Sequence, residues 1–141
     1  MRAVIQRVTA GAVSVDGEEV SRIGPGLVVL LGVSREDGSG QARKMADRIR
    51  KLRIFSDAAG KMNRSVQDVA GGVLIVSQFT LAANTSAGNR PSFGGAAPAE
   101  QGRALYERVL QRARELHTPV AAGQFGADMQ LHLVNDGPVT I

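Results

Sequence analysis

The 141-residue chain contains no cysteine and no tryptophan, and it has only two histidines, His117 and His132. Without cysteine there is no disulfide framework, no thiolate nucleophile and no thiolate metal site. Two histidines without ligand spacing exclude a histidine-rich metal centre, so neither a metal nor a cofactor is expected. No apolar run approaches the roughly 20 residues of a membrane span. The N-terminus enters a strand-like pattern directly, without a signal or transit segment, so a cytoplasmic chain with no membrane partner is expected. The Gly-x-x-x-x-Gly-Lys-Ser/Thr phosphate loop and the Gly-x-Ser-x-Gly elbow are both missing. The carboxylates are scattered, and none sits in the apolar context that marks a tuned general acid. An enzyme built from this chain has few side-chain acids and bases to work with.

What is present is organised around Gly72-Val73-Leu74-Ile75-Val76-Ser77-Gln78-Phe79-Thr80-Leu81. Its apolar half is β-branched and short, which predicts a central strand buried on both faces. Ser77, Gln78 and Thr80 then place hydroxyl and amide groups at the strand's end, a rigid base for a site. Ahead of it, residues 3–15 alternate, with Gly11 suggesting a bulge. Asp16-Gly17 predicts a hairpin into a second strand at 18–23. Gly24-Pro25-Gly26 reads as a turn, and Leu27 to Val33 as another buried strand. Ser39 is placed to cap a helix running to about Leu52, with an apolar stripe of Ala42, Met45, Ala46, Ile49 and Leu52. The other face of that helix is basic (Arg43, Lys44, Arg48, Arg50, Lys51) and is either solvated or in contact with phosphate.

Further on, residues 53–56 read as a short strand and 57–60 as a turn. Residues 82–97 form a long Gly- and Ser-rich loop holding Asn89-Arg90-Pro91-Ser92-Phe93, a basic and aromatic knot. Pro98 opens a second helix whose buried face is Leu105, Tyr106, Val109, Leu110, Ala113 and Leu116. Residues 117–123 read as a connector, and 127–134 alternate with Met129, Leu131 and Leu133 on one face. The pattern predicts one domain over 1–141 of α+β (α/β-type) class. A mostly antiparallel sheet would close toward a β-barrel, with two main helices packed on it.

Two stretches carry the functional signal: Ser77-Gln78-Phe79-Thr80 and Asn135-Asp136-Gly137-Pro138-Val139-Thr140. Together they resemble the two signatures of the D-aminoacyl-tRNA deacylases (the D-tyrosyl-tRNA deacylase family). The likeness runs nearly end to end, through Ile5-Gln6-Arg7-Val8, Arg53-Ile54-Phe55-Ser56-Asp57, Gly60-Lys61-Met62-Asn63, Arg90-Pro91-Ser92-Phe93 and Ala127-Asp128-Met129. The resemblance implies a DTD-like fold and a metal-independent hydrolase acting on ester bonds, which frees D-amino acid from tRNA as a proofreading step. It implies a homodimer in which a cis Gly137-Pro138 peptide reaches into the partner's active site. Ser77, Gln78, Phe79 and Thr80 would line the catalytic site. Phe125 and Met129 would pack around the 3′-terminal adenosine of the tRNA, and Arg7 would brace the Gly137-Pro138 loop.

The task itself constrains the device. Discriminating the two hands by 10³ to 10⁴ needs about 4–5.5 kcal/mol, whereas one apolar contact supplies about 1–3 kcal/mol. Reading side-chain identity also fails, because every residue must be judged alike. Rigid backbone carbonyls against Cα would exclude any L side chain, and such a filter should admit glycyl-tRNA, including glycine mischarged on the alanine tRNA. Two catalytic routes fit the residues. Thr80 could be the nucleophile, if a base activates it. Alternatively, backbone N–H groups around Phe79 and Thr80 form an oxyanion hole, and the substrate's 2′-OH helps activate water. A rival of another class is a non-catalytic nucleic-acid-binding protein that uses the basic helix.

Overall fold

A computed structural model describes residues 1–141. Its axis is β1 (Arg2–Val15), which pairs antiparallel on one edge with β2 (Glu18–Ile23) and β3 (Gly26–Gly32). The Asp16-Gly17 turn has both residues at positive φ (51° and 80°), the geometry that matches strand twist in a two-residue hairpin. From Arg2 opposite Gly32 to Val13 opposite Ser21, the pairing keeps one register. Gly24-Pro25 is therefore not a reversal but a jog between two collinear strands. The other edge of β1 carries β8 (Met129–Thr140), also antiparallel.

Beyond β3 the sheet becomes parallel. β6 (Gly72–Ser77) pairs with β3 on one side and with β7 (Val120–Ala122) on the other. The sheet thus runs β8, β1, β2/β3, β6, β7, mixed in direction, and it curls until its ends approach: after β7, the Gln124 N–H donates to the Met129 Sδ of β8 at 3.3 Å. A separate hairpin, β4 (Phe55–Ser56) with β5 (Met62–Arg64), stands beside it. Two helices, α1 (Ser39–Lys51) and α2 (Ala99–Leu116), cover one face.

The central strand divides two cores. Val73 and Ile75 pack with Leu27, Val29, Ala46, Ile49, Tyr106 and Val109 beneath the helices. Leu74 and Val76 pack with Val8, Val13, Ile23 and Val28 on the barrel side. Each such burial stabilises by about 1.5–3 kcal/mol. This is the two-faced burial that the apolar run predicted.

Several local expectations give way to packing. Gly11 forms no bulge; a Cβ there would lie 2.7 Å from Val28 Cγ2, so the glycine lets the barrel interior close. The β1–β2 irregularity falls between Val13 and Ser14 instead. Ser39 does not cap α1: Gly38 is the N-cap, and its N–H donates to Gln41 Oε1 at 2.9 Å. The 117–123 connector contains β7, three residues long and held only by its parallel neighbour.

Candidate active site

β6 ends at Ser77, and the chain turns at once into a 3₁₀ turn, Phe79–Ala82. The turn is seated against the end of β3. Gln78 N donates to Leu31 O at 2.7 Å, and Arg2 Nη1 donates to Leu81 O at 3.1 Å. Gly32 makes the approach possible, because a Cβ there would lie 2.9 Å from both Gln78 O and Leu81 Cβ. As the first residues of the turn, Phe79 and Thr80 have N–H groups without an acceptor in their own helix. No other backbone or side-chain acceptor takes them.

Phe79 opens onto a cavity of about 530 Å³, while Thr80, expected in the same wall, is not among its lining residues. Ser77, Gln78 and Phe79 line one wall; Phe125, from the segment joining β7 to β8, and Met129, the first residue of β8, line another. The fold therefore brings together five residues that are up to 52 positions apart in sequence, Ser77 to Met129. The sequence did not single out Tyr106, Gly102 or Asp128 for this cavity, yet all three line it. Gly102 of α2 is where Phe125 packs: a Cβ there would be 3.5 Å from the ring. Tyr106 stacks obliquely on Phe125 at 5.7 Å and donates its phenol to Ile75 O at 2.8 Å. Burial pushes the Tyr106 phenol up to about 12, so it stays a hydrogen-bond donor at neutral pH. Arg103 lies over the Phe125 ring, 4.8 Å from its centroid.

Thr80 Oγ1 accepts a hydrogen bond from Gln78 Nε2. No histidine stands near it. His117 Nε2 sits 2.6 Å from Gly71 O, at the opposite end of β6, about 20 Å away at the usual strand rise. His132 lies on β8 opposite Ala12. No cluster of three or more His, Cys, Asp or Glu side chains is positioned to hold a metal ion.

Arg7, Gly137 and Pro138 do not line this cavity. They form a second feature, on the outer edge of the sheet. Between Val8 opposite Asn135 and Gln6 opposite Thr140, four residues of β8 stand opposite Arg7 alone. The surplus runs Asp136-Gly137-Pro138-Val139: the first three are exposed, Val139 turns back into the core, Gly137 is at φ 129° and the Gly137-Pro138 peptide is cis. Its stem is closed twice: Asn135 Nδ2 donates to Thr140 Oγ1 at 2.8 Å, and Val139 N donates to Asn135 Oδ1 at 3.0 Å. Arg7 holds the loop from inside, donating from Nε to Asp136 O at 3.2 Å and from Nη1 to Ile54 O at 2.8 Å. Gly137 and Pro138 themselves are exposed.

The D-Tyr-tRNA(Tyr) deacylase family model matches residues 4–141. A D-aminoacyl-tRNA deacylase of Methylibium petroleiphilum is 63% identical over 141 residues, covering all of this chain and 93% of its own. That of Deinococcus radiodurans is 59% identical, with coverage of 100% and 97%. Among solved structures, a c-Myc DNA unwinding element binding protein superposes with a TM-score of 0.95 at 46% identity, covering 100% of this chain and 96% of that one. A probable eukaryotic D-amino acid tRNA deacylase has a TM-score of 0.79 at 19% identity over 99% of this chain and 96% of its own, a likeness of fold alone.

Proposed function

The chain belongs to the D-Tyr-tRNA(Tyr) deacylase family, and from that premise we propose that it hydrolyses the ester of D-aminoacyl-tRNA to free D-amino acid and tRNA while sparing the L ester. The reaction class, ester hydrolysis, is that of its relatives about 60% identical along the whole chain. The observation that carries the reading is the end of β6. Unpaired N–H groups of Phe79 and Thr80 stand there, and Phe79 lines a cavity whose other wall is an aromatic ring and a thioether, surfaces suited to a nucleobase.

The catalytic step follows from what surrounds Thr80. A nucleophilic hydroxyl needs a base to take its proton, but His117 is held at the far end of β6 and His132 lies on β8 opposite Ala12. The Thr80 hydroxyl is itself occupied by the Gln78 amide. The free N–H groups fit the other route, in which they hold the developing oxyanion and the ribose 2′-OH of the substrate helps activate water. Water attacks the ester carbonyl, the C–O bond to the ribose breaks, and the ribose oxygen leaves with a proton.

Chiral rejection is assigned to the Gly137-Pro138 loop of a second subunit. In one chain the loop and the cavity do not meet, and the loop is exposed. A homodimer with two-fold symmetry would bring each loop to the other chain's cavity. A filter that only excludes L side chains admits glycine, so glycyl-tRNA is expected to be hydrolysed. If enzyme levels that clear D-tyrosyl-tRNA leave glycyl-tRNA intact, the filter also requires contacts to a D side chain. The deciding experiment is paired deacylation of D- and L-tyrosyl-tRNA with chelator present. Loss of the D ester alone supports the reading, and loss of neither overturns it. The DNA-binding name of the neighbour at 46% identity favours a second reading, DNA binding. Strongly salt-dependent binding without turnover would put that reading first.

A further inference from the structure

The 82–97 loop is not absorbed by the reaction above, although it holds the Arg90-Pro91-Ser92-Phe93 knot. The loop is pinned. Asn84 and Ser92 exchange two backbone hydrogen bonds of 2.8 Å, and Asn84 Oδ1 accepts from both the N–H and the hydroxyl of Ser86. Arg35 Nε donates to Gly94 O at 2.6 Å, and Ala97 N donates to Val33 O at 3.0 Å. This frame sets Phe93 edge-on against Phe79, with centroids 5.0 Å apart and planes at 62°. Both rings face solvent: Phe79 is 60% exposed and Phe93 36%. Phe79 lines the cavity as well, so the ring pair is the cavity's outward continuation.

The charged side chains that hold this frame are basic. Arg2 is bonded to the 3₁₀ turn, Arg35 to the loop, and exposed Arg90 stands three residues before Phe93. No acidic residue lies between Ser77 and Ala99. A rigid, exposed aromatic pair beside arginines is the chemistry that holds an unpaired nucleobase and its phosphate. We infer that the Phe79–Phe93 pair is a stacking site for the base of the nucleotide preceding the tRNA's terminal adenosine. This inference rests on the deacylase reading and deepens it. The cavity takes the terminal nucleoside, and the ring pair takes the next base along the single-stranded 3′ end. Phe93 is then a binding residue for the tRNA end, without a part in the chemistry.

The test compares D-tyrosyl-tRNA with the minimal ester 3′-O-D-tyrosyl-adenosine, which lacks the preceding nucleotide. In Phe93→Ala, KM for the tRNA ester should rise about tenfold to a hundredfold, the range that base–aromatic stacking spans. Its kcat, and the hydrolysis of the adenosine ester, should match wild type. Phe93→Trp should restore KM. A tRNA abasic at the penultimate position should lower wild type to the level of Phe93→Ala and leave the variant unaffected. Equal loss on both esters would mean that the ring contacts the amino acid, and would overturn the assignment. So would an unchanged KM, or a loss that tracks dissociation of a dimer in sedimentation. If wild type leaves both esters intact, the deacylase reading falls, and this assignment with it.

Discussion

Arg7 gives the sharpest test of how the sheet edge serves the reaction. Its side chain is only 13% exposed, and its Nε and Nη1 donate to the carbonyls of Asp136 and Ile54. A hydrogen bond from a charged donor is worth about 1.5–3 kcal/mol. The Ile54 bond, half-buried at 2.8 Å, keeps most of that. The Asp136 bond is exposed, and water recovers part of it on removal. The nearby Asp136 carboxylate, at 3.4 Å and half-exposed, adds less than about 1 kcal/mol. Arg7→Ala should therefore lower unfolding stability by about 2–4 kcal/mol, read from the urea midpoint. Arg7→Lys keeps the charge but cannot serve two diverging carbonyls, so it should recover about half of that loss. Asp136→Asn should shift the midpoint very little. The functional arm is paired D- and L-tyrosyl-tRNA hydrolysis. A loosened loop should lower the D rate at least about tenfold or raise the L rate, so the D/L ratio falls. A wild-type midpoint in Arg7→Ala would refute the energetic reasoning. A destabilised variant with an unchanged D/L ratio would sever the brace from the chemistry.

Other expectations follow from the same geometry. Thr80→Ala should keep at least about a tenth of wild-type deacylation, and a substrate with a 2′-deoxy terminal adenosine should lose far more; a loss of about 10⁴-fold in Thr80→Ala would restore the nucleophile reading. If the Gly137-Pro138 loop acts on the partner's cavity, mixing an inactive loop variant with an inactive Ser77–Thr80 variant should restore about a quarter of wild-type activity. Half the dimers would be mixed, each with one intact composite site. No recovery in dimers that exchange subunits would place the loop's action within its own chain. Tyr106, the only tyrosine, holds its proton longer in the folded chain than in the unfolded one, whose phenol titrates near 10.0. Its contribution to stability is therefore full below pH 10 and declines as pH rises toward about 12; urea midpoints across that window should show the decline, and Tyr106→Phe should remove it.

Local chemistry made part of the molecule legible in sequence. Val73 to Val76 had to be a strand buried twice, because no helix face is that short and that uniformly apolar. Asp16-Gly17 had to be a hairpin, because only such residues take positive φ at both positions. The polar break at Ser77 marked the site's first wall for the same kind of reason. The second wall was not legible by pattern. Phe125 and Met129 reach the cavity only because β7 pairs parallel to β6, and β7 is too short for any periodicity. Family resemblance supplied those two residues, but not Tyr106, which read as ordinary helix core. Glycine misled twice for one reason: at Gly11 and at the Gly24-Pro25-Gly26 jog it marks close approach or a continued line, not the bulge or reversal that local rules suggest.

The bulge in β8 has a wider implication. Its two ends are fixed independently, at Val8–Asn135 on one side and at the reciprocal Ile5–Ile141 hydrogen bonds of 2.8 Å on the other. Whatever sits between them does not set the register of the sheet. The two exposed residues at the tip of the bulge, Gly137 and Pro138, can therefore vary while the barrel stays as it is. If the loop filters substrate as proposed, a lineage could retune what it admits without first finding a new fold. The register of the sheet and the exposed tip of the loop are set by separable parts of one strand, so change in the second need not wait on the first.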